Sequence, residues 1–439
     1  MSSVFSENFR IQNAINFKTL LAGQSTDNTK VYFTFGDPTP WANDASPPQA
    51  NTSVLSLNDI WRNMIGAKLV TGNDVKHVVP RYNWTANTSY IAYDHDFEYN
   101  TQNVPYYVVT SDWGIYKCLA NNSGGLSTVE PTQLSTSSAI EETDGYIWKY
   151  LYSISDADKL RFLTDEFMPV NTLGVDDNSL QWDVQQDAVA GAIESIKVIS
   201  GGNGYSNANS ISVVVTGDGT GAAATARINT QSNTISSFAI TNKGSGYSYA
   251  SVRVTGTGAN AVAQAVISPT GGHGADPLRE LGGSNLMVNV RLQNSESDKF
   301  PVMNDFRQVS LISNPKERGG TLAANVAYSQ YTTIILNTAT STYIDDEVVY
   351  QGSSLENATF TGVVDVFDAA NNTLLLTNTE GTLISDVLLG VTSGTARFVQ
   401  SIVDAELKKY TGNLLYIHNI TPIIRSSDQT ESFQIVFKF

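Results

Sequence analysis

A single cysteine, Cys118, stands among 439 residues. One thiol excludes an internal disulfide framework and any cysteine-based metal cluster. Its surroundings, Ile115-Tyr116-Lys117-Cys118-Leu119, read as a β-strand, so a buried and inert thiol is expected. Charge is scarce as well, at 15% of residues against ~25% in an average soluble protein. Gly, Ser, Thr, Asn and β-branched residues take its place, a profile that suits an extended β-rich structural protein more than a helical enzyme. Basic residues are few, 26 against 42 acidic, and the net charge is −16. The longest basic run is Lys408-Lys409, and Lys316-Glu317-Arg318 is mixed. Such a chain repels phosphate backbones, so no nucleic-acid partner is expected. No run approaches the ~18 apolar residues of a membrane span, and no basic start leads into an apolar core. No membrane insertion is expected, and sequons such as Asn83-Trp84-Thr85 carry no weight without a secretory route. Assembly in a reducing cytosol follows.

Catalytic sets are missing too. The four histidines, His77, His95, His273 and His418, sit in unrelated contexts, so no nucleophile–base pair assembles. There is no Walker loop and no Gly-x-Ser-x-Gly elbow, and carboxylate pairs are uninformative among 42 acidic residues. Gly217, Gly219 and Gly221 follow a strand as a dinucleotide loop would. They lead into a further β segment, Ala222 to Ile228, and not into the helix that would hold a pyrophosphate. Gly271-Gly272-His273-Gly274-Ala275-Asp276-x-Leu278 matches one calcium nonapeptide of β-roll proteins. Those sites need tandem copies, and a lone copy containing Pro277 reads as a glycine-rich hinge. Asp94-His95-Asp96-x-Glu98 offers oxygen and imidazole ligands, and on a strand its three carboxylates would share one face. No second histidine is near, so a polar strand edge explains it. Asp345-Asp346-Glu347 reads as a turn before a strand. No catalytic residue, no cofactor and no metal is expected; the protein is read as no enzyme.

What the chain does have is β pattern. Thr29 to Phe35 and Tyr146 to Ile154 read as strands, with turn-rich sequence after Gly36. Helices are expected over residues 6–22 and after Ser56-x-x-Asp59, a capping box ahead of Leu57, Trp61, Met64 and Ile65. Ser155 to Leu163 makes one short helical turn. Residues 77–120 interleave Tyr82, Trp84, Tyr90, Tyr93, Phe97, Tyr99, Tyr106, Tyr107, Trp113 and Tyr116 with polar residues. Half-buried sheet is the plain reading of that stretch, and a carbohydrate-binding platform the sharper one.

From Ala192 to Pro269 the composition shifts and an internal repeat appears. Ile193-x-Ser195-Ile196-x-Val198 returns as Ile235-x-Ser237-Phe238-x-Ile240, and Gly202-Asn203-Gly204-Tyr205-Ser206 as Gly244-Ser245-Gly246-Tyr247-Ser248. Thr216-Gly217-x-Gly219 returns as Thr255-Gly256-x-Gly258, and Ala226-Arg227-Ile228 as Ala265-Val266-Ile267. Two copies are too few for a solenoid, so a small paired β module is expected. A second module follows from about Tyr328, with strands over residues 332–337, 347–351, 359–367, 373–376 and 396–403 spaced as in a small barrel or sandwich. The fold is therefore read as mainly β, an α+β chain with few short helices: a multidomain sandwich or barrel core carrying two inserted β modules. The core is expected from 1–190, 275–325 and 403–439, with the modules at 191–270 and 326–402.

The last stretch, Gly412 to Phe439, alternates strongly, with Phe433, Ile435, Phe437 and Phe439 on one side of a strand. Leu414 to Ile417 is a second β-prone run, and Pro422 and Ser426-Ser427-Asp428 punctuate the path between them. This pattern resembles the C-terminus of the gene-8-type baseplate wedge subunits of T-even-like contractile-tailed phages. Four further islands agree in the same order. They are Val31 to Gly36 with Pro40-Trp41, Val79-Pro80-Arg81 with Trp84, Asp144 to Leu151, and Phe306 to Pro315. The resemblance covers roughly residues 1–185, 285–320 and 405–439. It implies a structural virion protein of the tail baseplate, forming a homodimer, contacting other wedge proteins and helping the baseplate change form on contraction. Where the family carries an acidic residue, Asn and Arg, this sequence has His418-Asn419-Ile420-Thr421, so any ion pair made there is replaced. The alternative function is a receptor- or glycan-binding tail adhesin, suggested by the aromatic stretch and the inserts.

Overall fold

The computed structural model describes residues 4–24, 28–97, 99, 104–293, 296, 299–302, 304–426 and 429–439. The fold is mainly β, with short helices at Glu7–Leu21, Val54–Asn63, Asp156–Phe162, Leu180–Asp187 and Pro277–Glu280. The chain divides into two compact units. The first holds the residues up to Ala14, Lys76–Met287 and Val436–Phe439; the second holds Ile15–Val75 and Val288–Ile435.

In the first unit, an antiparallel sheet runs in the order Tyr107–Val109, Gly114–Asn121, Tyr146–Ser153, Ile140–Glu141. Its two central strands are buried over most of their length, and Trp148, Tyr116, Tyr146 and Tyr150 fill the core beneath Tyr90 and Val184. Val184 lies on the helix Leu180–Asp187, which the periodicity does not announce because the helix is short and mostly polar. The described residues between 81 and 97 are irregular, with isolated bridges at Asn83 and Thr88, where the aromatic alternation suggested sheet.

The repeat folds as an intertwined pair. The first strand of copy one, Ile193–Asn203, pairs with the last strand of copy two, Ala259–Ile267. The first strand of copy two, Thr234–Ser245, pairs with the last strand of copy one, Thr220–Asn229. The middle strands Ser212–Gly217 and Ala250–Thr255 pair with each other, and Val214 faces Arg253, its own counterpart in the repeat. Neither copy can bury Tyr205 or Tyr247 alone. Each ring lies over a glycine of the other copy: a Cβ on Gly219 would stand 2.5 Å from Tyr247, and one on Gly258 would stand 2.6 Å from Tyr205. Both rings are buried, so neither yields freely. Gly219→Ala and Gly258→Ala are each expected to destabilise the chain by ~1–3 kcal/mol, read by urea unfolding. Unchanged midpoints for both would mean that the rings are not locked.

In the second unit, a five-stranded sheet runs Ala327–Ser329, Met64–Leu69, Val31–Gly36, Asp305–Ser313, Asn413–Ile424. Val31–Gly36 is buried throughout, and the polar side chain of Thr34 is satisfied by the Ser310 hydroxyl at 2.5 Å. Phe433 packs on Phe33 and Phe306 at ring distances of 4.9 and 5.8 Å, tying the C-terminal strand Glu431–Lys438 to this sheet. Three local expectations are corrected here. The N-cap of the helix Val54–Asn63 is Ser53, whose side chain accepts from Ser56 N–H at 3.2 Å. Met64 and Ile65 leave that helix for the strand, where Met64 pairs with Gly36 and the Ile65 carbonyl accepts from Gln330 N–H at 2.8 Å. Pro422 lies inside a strand: it sits on the sheet's outer strand, where the register slips between Phe306 and Gln308 and no ladder hydrogen bond is demanded of it. Ser427 and Asp428 lie outside the described residues.

The same unit carries a closed six-stranded barrel, ordered Thr332–Leu336, Thr373–Gly381, Ala358–Asp368, Val348–Gly352, Val387–Gly390, Ala396–Val403. Alternation sends Ile334, Leu336, Val349, Phe360, Val364, Leu374, Leu376, Leu388 and Val399 inward. The four-residue strand Val387–Gly390, too short to stand out in the sequence, pairs with both of its neighbours and closes the ring.

Candidate functional site

The most strongly charged interior of the first unit forms around Lys117. Lys117 and Lys149 face each other in register on the two central strands, and both are buried. Lys117 Nζ lies 2.8 Å from Glu280 Oε1, and His273 Nδ1 stands 2.9 Å from the same oxygen. Gly274 N–H donates to Glu280 Oε2 at 2.7 Å. The ammonium lies 3.6 Å from the centre of the Tyr93 ring, a cation–π contact, and Tyr106 donates to the Glu280 carbonyl at 3.1 Å. The Lys117, Glu280 and His273 side chains are 0%, 2% and 2% exposed.

Burial alone would push the Glu280 carboxyl up, but the Lys117 ammonium and the His273 contact more than offset it and hold it at about 2. Burial, followed by the charge on Lys117, pushes the His273 imidazole down, so at neutral pH it is a neutral donor to an ionised carboxylate. Burial also lowers Lys117, which Glu280 counters. No substrate reaches a pair sealed this well. What the cluster does is pin the Gly271–Gly274 turn to the central strand. Lys149 is satisfied separately, donating to the Thr136 carbonyl at 2.7 Å.

The calcium-like stretch is thereby accounted for. His273 belongs to the buried cluster, and Asp276 caps the helix Pro277–Glu280, accepting from Arg279 N–H at 3.2 Å and from the Thr172 hydroxyl. Asp94, His95 and Asp96 do come close enough to share an ion, but in a turn and not on a strand edge. Glu98 lies outside the described residues. Lys197 Nζ already stands 2.9 Å from Asp94, Gln264 Nε2 donates to Asp96 at 2.7 Å, and Ile267 N–H points at His95 Nδ1. An ammonium supplies the positive charge that a metal would bring. With Arg227 paired to Glu141, and Lys243 donating to the Ser137 carbonyl at 2.9 Å, these contacts clasp the repeat module onto the neighbouring sheet. A cleft of about 450 Å³ remains between them, walled by Ile91, Leu119, Ile147, Ile196, Phe238 and Val266.

The other singled-out residues are scattered. Asp218, between Gly217 and Gly219, accepts from Ser248 N–H and Oγ and from Tyr249 N–H, and a strand follows it, not a helix. Cys118 is buried, and burial pushes its thiol well up. His77 Nδ1 lies 3.0 Å from the Gly283 carbonyl. His418-Asn419-Ile420-Thr421 is strand; Asn419 donates to the Pro48 carbonyl at 3.0 Å, and Trp41 Nε1 donates to the Ile420 carbonyl at 3.2 Å. Tyr90, Tyr99, Tyr106, Tyr107 and Tyr116 are buried, so they form no open stacking platform. Asp345-Asp346-Glu347 is more than a turn: buried Glu347 accepts from the N–H groups of Ile344, Thr392 and Ser393 and from Ser393 Oγ. The sequence reading missed the roles of Lys117, Glu280 and Glu347. One signal was available, since Lys117 stands between Tyr116 and Cys118 in a run with no solvent-facing period.

Comparison with known proteins bears on a role that this interior does not reveal. Residues 3–124 match the family model described as Bacteriophage T4, Gp8. The gene-8-type resemblance holds. A relative, the baseplate wedge protein gp8 of Enterobacteria phage T4, is 25% identical over 204 residues, covering 38% of this chain and 60% of the relative. The chain thus spans less than two thirds of that protein's length. The islands at Val31 to Trp41 and at Val79 to Trp84 fall inside the gene-8-type span; Asp144 to Leu151, Phe306 to Pro315 and the C-terminal run lie beyond the family model's match.

Proposed function

We propose that this chain is a structural component of a contractile phage tail, a baseplate wedge subunit located in the virion. The observation that carries the reading is the gene-8-type match over residues 3–124, together with the relation to the T4 baseplate wedge protein. The chain works by presenting broad, rigid β faces to neighbours, which calls for large interfaces and not a pocket. It forms a homodimer, contacts other wedge proteins and takes part in the change of baseplate form on contraction. Residues 1–190, 275–325 and 403–439 make the wedge-type core, and 191–270 and 326–402 are inserted decorations. The non-enzymatic reading is supported by the sealing of the Lys117–Glu280–His273 cluster from solvent. The adhesin alternative is weakened, because five of the tyrosines that suggested it, Tyr90, Tyr99, Tyr106, Tyr107 and Tyr116, are buried.

The test is the position and copy number of the chain in purified tails, by mass spectrometry and single-particle imaging. Stoichiometric density in the baseplate is expected. Absence from tails, or turnover of a substrate by the isolated chain, would end the proposal.

A further inference from the structure

Next to the cleft walled by Phe238, and sharing Glu141, Ile147 and Arg227 with it, the first unit holds another cavity of about 430 Å³. Glu194 borders it from the strand Ile193–Asn203, with a side chain only 7% exposed. Its Oε1 takes one long bond, from Lys243 Nζ at 3.3 Å, and its buried Oε2 has no hydrogen-bond partner among the described residues. The Lys243 ammonium also donates to the Ser137 carbonyl at 2.9 Å, which leaves one of its three donors over. A carboxylate with acceptor capacity to spare thus stands beside an ammonium with a donor to spare. The uncommitted groups around them are neutral: the hydroxyls of Ser138 and Thr241, and Nδ2 of Asn242, whose amide oxygen already accepts from Gly244 N–H at 3.0 Å. The remaining charges hold each other, with Arg227 Nη2 donating to Glu141 Oε2 at 2.8 Å. Half-buried Ile147 and Ile240 supply an aliphatic wall.

We propose that this cavity binds a neutral hexose through a vicinal diol. One hydroxyl donates to the Glu194 carboxylate, and its neighbour accepts from the Lys243 ammonium. Hydrogen bonds to charged groups are the strong ones, and a buried carboxylate short of donors gains from each one supplied. The same pair selects against charge. An anionic ligand meets the carboxylates of Glu194 and Glu141, a cationic one meets Lys243 and Arg227, and a neutral polyol meets neither penalty. Ser138, Thr241 and Asn242 serve the remaining hydroxyls, while the C–H face of the ring rests on Ile147 and Ile240. The inference owes nothing to the tyrosines of residues 77–120 and does not depend on the baseplate reading.

The experiment is saturation-transfer NMR titration of the full chain with the methyl glycosides of glucose, galactose and mannose, and with glucuronic acid and glucosamine as their charged counterparts. At least one neutral glycoside is expected to bind saturably, about tenfold more tightly than either charged sugar. Glu194→Gln is expected to weaken that glycoside about tenfold. Thr241→Val is expected to weaken it about threefold without moving the melting temperature, because Thr241 is exposed and its hydroxyl holds no other part of the described chain. Absence of saturable binding by all three neutral glycosides, equal or tighter binding of a charged sugar, or an affinity untouched by both substitutions overturns the proposal. A failed titration leaves the baseplate reading standing, and absence of the chain from purified tails leaves a successful titration standing.

Discussion

Glu280→Gln is expected to destabilise the first unit by about 3–5 kcal/mol, the cost of leaving a buried charge without its counterion. The ammonium of Lys117 has no exposed surface, and among the described residues Glu280 is the carboxylate it pairs with, at 2.8 Å. The glutamine keeps the shape and an acceptor for Gly274 N–H, so the loss isolates charge from packing. Removing both charges, as in Lys117→Met with Glu280→Leu, is expected to recover part of the loss, because two desolvation penalties vanish along with the attraction. The pH dependence carries the same signature. A carboxyl held at about 2 in the folded chain and ordinary when unfolded contributes stability above the ordinary carboxylate range, and that stability is lost as pH falls through about 2. The Glu280→Gln chain should lack this acid limb. Urea unfolding from pH 7 down to pH 3 reads both effects, and a loss below about 1 kcal/mol at pH 7 would show that the pair is not what pins the turn.

Asp365→Asn is expected to act in the opposite direction and to stabilise the second unit at alkaline pH. Asp365 lies on the barrel strand Ala358–Asp368 and accepts from the buried Tyr331 hydroxyl, which in turn accepts from Asn304 Nδ2 at 2.8 Å. Burial pushes its carboxyl up to about 7; the Tyr331 hydrogen bond opposes this, and Asp305, Asp346 and Asp345 add to it. The folded state therefore holds this proton more tightly than the unfolded chain does. Its contribution is fully present below the ordinary carboxylate range and is lost as pH rises through about 7. Above that point the folded chain bears a buried charge facing like charges. Asparagine keeps an acceptor for Tyr331 and carries no charge, so at pH 8 the gain has an upper limit of about 4 kcal/mol, shrinking towards zero near pH 4. Thermal unfolding of both chains across that range would decide it. A variant less stable than the parent at pH 8 would mean that the carboxylate is needed in its ionised form.

Much of the architecture was written locally. The alternation of Phe433 and Ile435, the β-prone run Val31 to Phe35, and the barrel strands around Leu374 and Val399 are short-range patterns legible from neighbouring residues alone. The twofold repeat was equally visible, because Gly-Tyr-Ser and Thr-Gly-x-Gly recur within a few dozen residues.

What the tertiary structure alone decided is every relation that crosses the chain. The repeat does not say that each copy pairs with the other and seats its tyrosine over the other's glycine, since both choices show the same pattern of side chains. Nothing near Lys117 announces a carboxylate 163 residues away, and a lone charge in an apolar strand acquires meaning only once burial removes water as its partner. Pro422 reads as a breaker until the sheet places it on an outer strand at a slip in register. Periodicity is a property of neighbouring residues and survives in one dimension; pairing, desolvation and charge compensation depend on what else the fold brings near.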